Sequence, residues 1–144
     1  MLKRLFLYLV LCSVTLIANE PYSIYKDNDD IFAKIDGIEP PVKLHIGAGM
    51  PQIVSLEPTK NKDIKLLQCF GGDVGTSVLV GYYYTYILDF KKKTIVGFIE
   101  YYDDYGHYTK IDKKPKWDFK KDQIEVSMYD EEKEGYKTIL FDLK

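Results

Sequence analysis

Residues 78–102 read VLVGYYYTYILDFKKKTIVGFIEYY, two runs rich in β-branched and aromatic side chains on either side of Lys91, Lys92 and Lys93. Such residues fit a pleated, packed surface, and a short polar trio between two runs of this kind predicts a β-hairpin. The hairpin limits what the rest of the chain can do, because the shorter apolar runs elsewhere must add to it or cover it. Side chains in a strand alternate between faces. Val78, Val80, Tyr82, Tyr84, Tyr86, Leu88 and Phe90 therefore form one apolar face. Leu79, Gly81, Tyr83, Thr85, Ile87 and Asp89 form a mixed one, either half wet or covered by another layer. At about 3.3 Å per residue the first run would reach about 40 Å if straight, so it is expected to bend. Gly81 and Gly97 are the candidate positions for a bulge or a close backbone approach.

Residues 1–18 read as a secretory signal peptide. Lys3 and Arg4 form the basic start, an uncharged apolar run follows to Ile17, and Ala18 precedes the polar pair Asn19 and Glu20. The apolar run is shorter than the roughly 20 residues a spanning helix needs, so no stable membrane anchor is expected after cleavage. Cys12 lies inside the run behind Leu11 and does not suit lipid attachment. A chain of 144 residues less these 18 leaves about 126, enough for one compact β-rich domain. Cys69 is then the only cysteine. It has no internal disulfide partner, and Leu66, Leu67 and Phe70 around it predict a buried, inert thiol. Subtracting Lys3 and Arg4 from 20 basic residues leaves 18 against 22 acidic ones, about −4, which argues against nucleic acid or an anionic membrane as partner.

Residues 19–30 are polar and acidic and predict an extended N-terminal arm or loop. Asp27, Asn28, Asp29 and Asp30 lack the glycine and late glutamate of a calcium loop. Ile31, Ala33 and Ile35 alternate with polar residues as a short strand ended at Asp36-Gly37. Pro40 and Pro41 break the chain, and Val42, Leu44 and Ile46 form the next strand. Gly47-Ala48-Gly49 precedes a further β-like run, not the helix that a phosphate-binding turn requires. For residues 58–70 a helical turn and a strand are equally compatible with the pattern.

Residues 71–77, GGDVGTS, are the most motif-like text and predict a tight turn with positive φ at glycine. The Lys before the hydroxyl residue and the helix after it that define a Walker-type loop are absent, and no sequence signal places His45 or His107 beside Ser77 as a base. Residues 103–115 read as a polar loop. Asp103, Asp104 and a single histidine, with no second anchoring cluster elsewhere, are a poor match to a zinc site, so neither metal nor cofactor is expected. Tyr101, Tyr102, Tyr105 and Tyr108 gather there, and tyrosine pairs a rigid apolar body with a polar tip, as contact surfaces require. The predicted partner-binding residues are Asp73, Tyr101, Tyr102, Asp103, Asp104, Tyr105, His107 and Tyr108.

The last third is plain β text. Trp117 and Phe119, then Ile124, Val126 and Met128, then Ile139, Phe141 and Leu143 alternate with polar residues, with charged tips between them. The expectation is seven or eight strands in an all-β domain, a small antiparallel barrel or sandwich, with an up-and-down meander over the C-terminal two-thirds. Three functions compete. A periplasmic or secreted non-enzymatic protein that binds another envelope protein, such as an inhibitor or immunity protein, needs a filled core and an exposed aromatic patch. A small apolar-ligand carrier needs a cavity of about 300 Å³ or more behind the even-numbered face. An enzyme, the least expected, needs His45 or His107 beside a carboxylate or Cys69.

Overall fold

The computed structural model describes residues 21–45, 49–77, 79–107 and 110–144. Residues 1–20, which include the predicted leader of residues 1–18, and Ile46, Gly47, Ala48, Val78, Tyr108 and Thr109 lie outside them. Ten strands and no helix are present among the described residues. β1 (Tyr22–Asp27), β2 (Asp30–Ile35) and β3 (Val42–Leu44) form one sheet in that order. β4 (Gln52–Pro58), β5 (Ile64–Val74), β6 (Val80–Asp89) and β7 (Thr94–Asp103) form the central sheet. β8 (Lys116–Phe119), β9 (Gln123–Asp130) and β10 (Gly135–Asp142) form the third. Every neighbouring pair is antiparallel and consecutive in the chain, and no sheet closes on itself into a barrel. The all-β, antiparallel, up-and-down expectation therefore holds, and the meander extends to the N-terminal strands as well.

The predicted hairpin is β6–β7, with residues 90–93 as its loop. Asp89, buried at the end of β6, accepts the Lys92 N–H at 2.8 Å, and Lys93 takes φ +57° to re-enter the sheet. Both faces of β6 are covered. On the even face, Tyr82, Tyr84, Tyr86 and Leu88 join Leu67 and Cys69 of β5 against Ile31, Ala33, Ile35, Val42 and Leu44 of the N-terminal sheet. On the odd face, Ile87 joins Ile64, Leu66 and Ile99 against Ile124, Val126 and Met128 of the C-terminal sheet. The mixed face is thus covered by another layer, and the central sheet separates two cores.

Register shifts interrupt the pairing of the long strands. In β7 the pairing steps from Ile87↔Gly97 to Leu88↔Ile95, so Val96 is an extra residue. This resets the phase, and Ile95 and Phe98, three apart, pack into the same core while Val96 and Ile99 face the other. Gly97 beside the bulge marks a close approach, since a Cβ there would fall inside the Phe141 ring of β10. At Gly81 the register with β5 and β7 is unbroken, so it is not a bulge.

Three readings of the sequence need correction, and one open choice is resolved. The polar segment 19–30, read as an arm, contains β1, which pairs along its whole length with β2 through a two-residue turn carrying Asn28 at φ +54°. It is an almost fully exposed edge strand, so apolar alternation has nothing to report there. Residues 59–63 form a turn pinned by the Thr59 hydroxyl and the Asn61 side chain, and Ile64 opens a strand where a helical turn was equally compatible. Gly71, Gly72, Asp73 and Val74 belong to β5, with Gly71 the extra residue at a register shift, so the turn is shorter than residues 71–77. With β1 counted and the C-terminal strands as read, the total is ten where seven or eight were expected.

The tyrosine face of β6 is core in which each hydroxyl has a partner. Tyr86 donates to the Lys43 carbonyl at 2.5 Å, and Tyr84 accepts the His45 N–H at 3.1 Å. These two backbone groups are two residues apart and so share one side of the chain at β3, where side-chain hydroxyls take the place of another strand. Tyr82 donates to Glu100 at 2.7 Å. Burial of each apolar ring contributes about 1.5–3 kcal/mol, and the hydroxyl bonds fix how the two sheets meet. Burial pushes the phenols of Tyr82, Tyr84 and Tyr86 above their ordinary value of 10, with Glu100 adding to the effect at Tyr82. Burial likewise pushes the Cys69 thiol up to about 12, against a hydrogen bond from Tyr84 that lowers it.

These shifts fix the sign of an alkaline effect. An acid whose folded pKa is raised binds its proton more tightly in the folded chain, so its stabilisation is complete below the unfolded value and lost as pH climbs toward the folded one. Thermal unfolding followed by circular dichroism should give a melting temperature nearly flat from about pH 7 to 9 that falls steeply above about pH 10. Replacing Tyr84 and Tyr86 by Phe lowers the neutral-pH midpoint through two lost hydrogen bonds, at about 1 kcal/mol each, and makes the alkaline fall shallower. An equally steep fall in that double variant would place the titrating groups elsewhere.

Candidate functional site

Asp73, Gly81 and Asp103 are register partners on β5, β6 and β7, side by side at one end of the central sheet. Gly81 has no side chain, and the Tyr105 hydroxyl lies over it, where a Cβ would collide with that hydroxyl and with the Tyr83 ring. Tyr105 thereby crosses β6 and donates to the Asp73 carboxylate at 2.7 Å. The crossing starts from a tight turn in which Tyr105 and Gly106 take φ +53° and +75°. Asp103 accepts the Tyr105 N–H at 2.9 Å, Asp104 accepts the Gly106 N–H at 3.0 Å, and the Asp104 carbonyl accepts the His107 N–H at 3.0 Å. Adjacent aspartates folding onto the amides two residues ahead are the usual way this residue type builds a turn. Local desolvation, the hydrogen bond to Asp73 and that to Tyr83 all raise the Tyr105 phenol, so it stays protonated as a donor.

Tyr101 and Tyr102 point to opposite faces of β7. Tyr101 stacks on its cross-strand partner Tyr83 at 5.3 Å between ring centroids, and burial pushes its phenol up to about 12. Tyr102 stacks on Tyr82 at 5.2 Å and keeps 48% of its surface exposed. Asp104 is buried at 3% exposure. Its carboxylate lies 3.7 Å from the Lys113 ammonium, which itself bonds Glu131 at 2.6 Å, and Glu131 above all keeps that ammonium charged. Lys113 thus ties the 104–115 connection to the tip of the β9–β10 hairpin.

Between the end of β7 and that tip lies a cleft of about 720 Å³. One wall carries Glu100, Tyr101, Tyr102 and Asp104, with Val74 and Val80 at its end. The other carries Met128, Tyr129, Glu131, Glu134 and Lys137, and Lys113 joins the two. A smaller cleft of about 230 Å³ opens beside Tyr83, Asp103 and Lys114.

Of the predicted residues, Tyr101, Tyr102 and Asp104 line the larger cleft and Asp103 the smaller, while Asp73 and Tyr105 bond one another at the adjoining sheet end. His107 is exposed beside them, and Tyr108 lies outside the described residues. Asp104 acts inside the fold as turn former and ion-pair partner. The sequence gives no sign of the opposite wall, because the hairpin tip reads only as a charged turn until folding sets it opposite β7. Glu100 has one local signal, a lone carboxylate interrupting an apolar strand. The His45 ring sits 4.9 Å from Phe98 and 5.4 Å from Tyr84, centroid to centroid, among aromatic rings. Among the described residues no three His, Cys, Asp or Glu side chains are grouped to hold a metal ion.

The ion pair sets a stability prediction. Replacing Lys113 by Met removes the ammonium 3.7 Å from buried Asp104. The loss should be about 2–3 kcal/mol, below the usual 3–5 for a fully buried pair because Glu131 is wet. Adding Asp104→Asn removes the carboxylate charge that Lys113 had faced, so chemical denaturation should find the double variant more stable than the sum of the two singles predicts. Simple additivity would show that the pair is not coupled. Compared with protein-family models, with curated proteins and with solved structures, the chain matches none.

Proposed function

We propose that the chain is an exported, non-enzymatic binding protein of the cell envelope, and that the cleft between β7 and the β9–β10 tip is its contact surface. The observation that carries this reading is the half-exposed ring of Tyr102, stacked on the core ring of Tyr82 at one wall of an open cleft. A rigid aromatic ring on a scaffold packed on both faces offers contact area at little entropic cost. Export rests on the leader pattern of residues 1–18. The periplasm or the exterior is the compartment, and an envelope protein blocked or neutralised there is the partner.

A carrier of a small apolar molecule draws less support. The rings it would use, those of Tyr82, Tyr84 and Tyr86, pack against β2 and β3, and their hydroxyls are engaged. The groups around the larger cleft are carboxylates, ammonium groups, phenols and a thioether, a set suited to contact more than to bond making.

Cross-linking in the producing cell tests the proposal. A photoreactive amino acid at position 102 should give a discrete adduct with one envelope protein, and the same group at exposed Lys34 on the N-terminal sheet should not. Intact mass of the purified protein should start at Asn19. Adducts from position 34 alone, or none from 102, would contradict the contact surface; an uncleaved leader would contradict export.

A further inference from the structure

Resting on the reading of this cleft as the contact surface, we infer that its occupant is a basic segment of the partner protein, an extended stretch that presents Arg or Lys side chains. Four carboxylates line the cleft, Glu100, Asp104, Glu131 and Glu134, against the two ammonium groups of Lys113 and Lys137. The cations are already committed. Lys113 bridges Asp104 and Glu131, and Lys137 reaches Asp130 at 3.5 Å. Glu100 and Glu134 have no cation among the described residues, so the cleft carries uncompensated negative charge where a partner would enter.

The second observation is how Glu100 is held. Tyr82, only 8% exposed, donates its hydroxyl to Glu100 at 2.7 Å and fixes the carboxylate on the sheet face. Tyr102, two residues on, lies on the same face of β7, and its ring stacks over that same Tyr82. A preorganised carboxylate and an exposed aromatic face about 7 Å apart along a strand suit a guanidinium or ammonium group. The carboxylate accepts its hydrogen bonds while the ring supplies a cation–π contact. Other chemistries fit less well. A polyanion would meet the excess negative charge, and an apolar ligand would desolvate carboxylates without pairing them.

The test is an NMR titration of the ¹⁵N-labelled protein, purified after expression of the full chain, with two short peptides. One alternates glycine and arginine; the other carries citrulline for arginine, which keeps the shape and removes the charge. The arginine peptide should shift the amides of residues 100–102 and of the β9–β10 tip, with a dissociation constant on the order of 0.1–1 mM. The citrulline peptide should bind at least about tenfold more weakly, and the E100Q/E134Q variant should lose about fivefold for arginine and little for citrulline. Equal binding of the two peptides, no loss in the variant, or shifts at the acidic turn of residues 27–30 in place of the cleft would overturn the inference. An adduct at position 102 alongside peptides that bind equally would leave the contact surface standing and refute only its basic occupant.

Discussion

The structure depends on a ten-residue strand, β6, buried on both faces. One face sends tyrosine rings into the N-terminal sheet and the other sends Ile87 into the C-terminal sheet, so neither outer sheet packs without the central one. A three-stranded sheet with one apolar face is a poor independent unit, and here each outer sheet finds its missing half on β5, β6 and β7. The two cores meet that need in different ways. The C-terminal core is aliphatic at its centre, with Trp117, Phe119 and Phe141 around it. The N-terminal core contains phenols, and their hydroxyls would be costly to bury without partners. Tyr84 and Tyr86 find them in the backbone at β3, so one strand supplies both the apolar mass of the core and the polar cover for a short sheet edge.

The same sheet builds the cleft. Register alone aligns Asp73, Gly81 and Asp103, and the missing side chain at Gly81 lets Tyr105 lie across β6 and close the sheet end. Stacking of Tyr101 on Tyr83 and Tyr102 on Tyr82 continues the cross-strand pairs of the hairpin to its last residues, where the sheet runs out of cover and one ring stays half wet. The exposed aromatic surface is thus the unburied end of the interaction that organises the core. Its rigidity comes from that origin, and rigidity is what a contact site gains from being built on strands.

Much of this was legible in the residues. The β6–β7 hairpin, the three C-terminal strands and the apolar tyrosine face follow from period-two alternation, which reports burial directly. The segments that escaped notice lack that signal. β1 is an exposed edge whose backbone pairing leaves no apolar trace, and Gly71 and Gly72 extend β5 although glycines punctuate more often than they pair. At the site, the link between Asp73 and the Tyr105 turn is half visible, since both segments stand out in the sequence and only the register that joins them is hidden. The wall formed by Met128, Tyr129, Glu131 and Glu134 was invisible, because nothing local tells a charged hairpin tip which other loop it will face.

The central claim, that β6 holds both outer sheets in one cooperative unit, is tested most directly by native-state hydrogen exchange resolved by residue. The account predicts that the amides of Tyr84, Thr85, Tyr86 and Ile87 exchange slowest, through global unfolding alone, and that protected amides of β2 and β9 rise to the same free energy, while those of β1 open locally and faster. Exchange in β6 as fast as in β1, or loss of one outer sheet in a separate step well below the global unfolding energy, would contradict it.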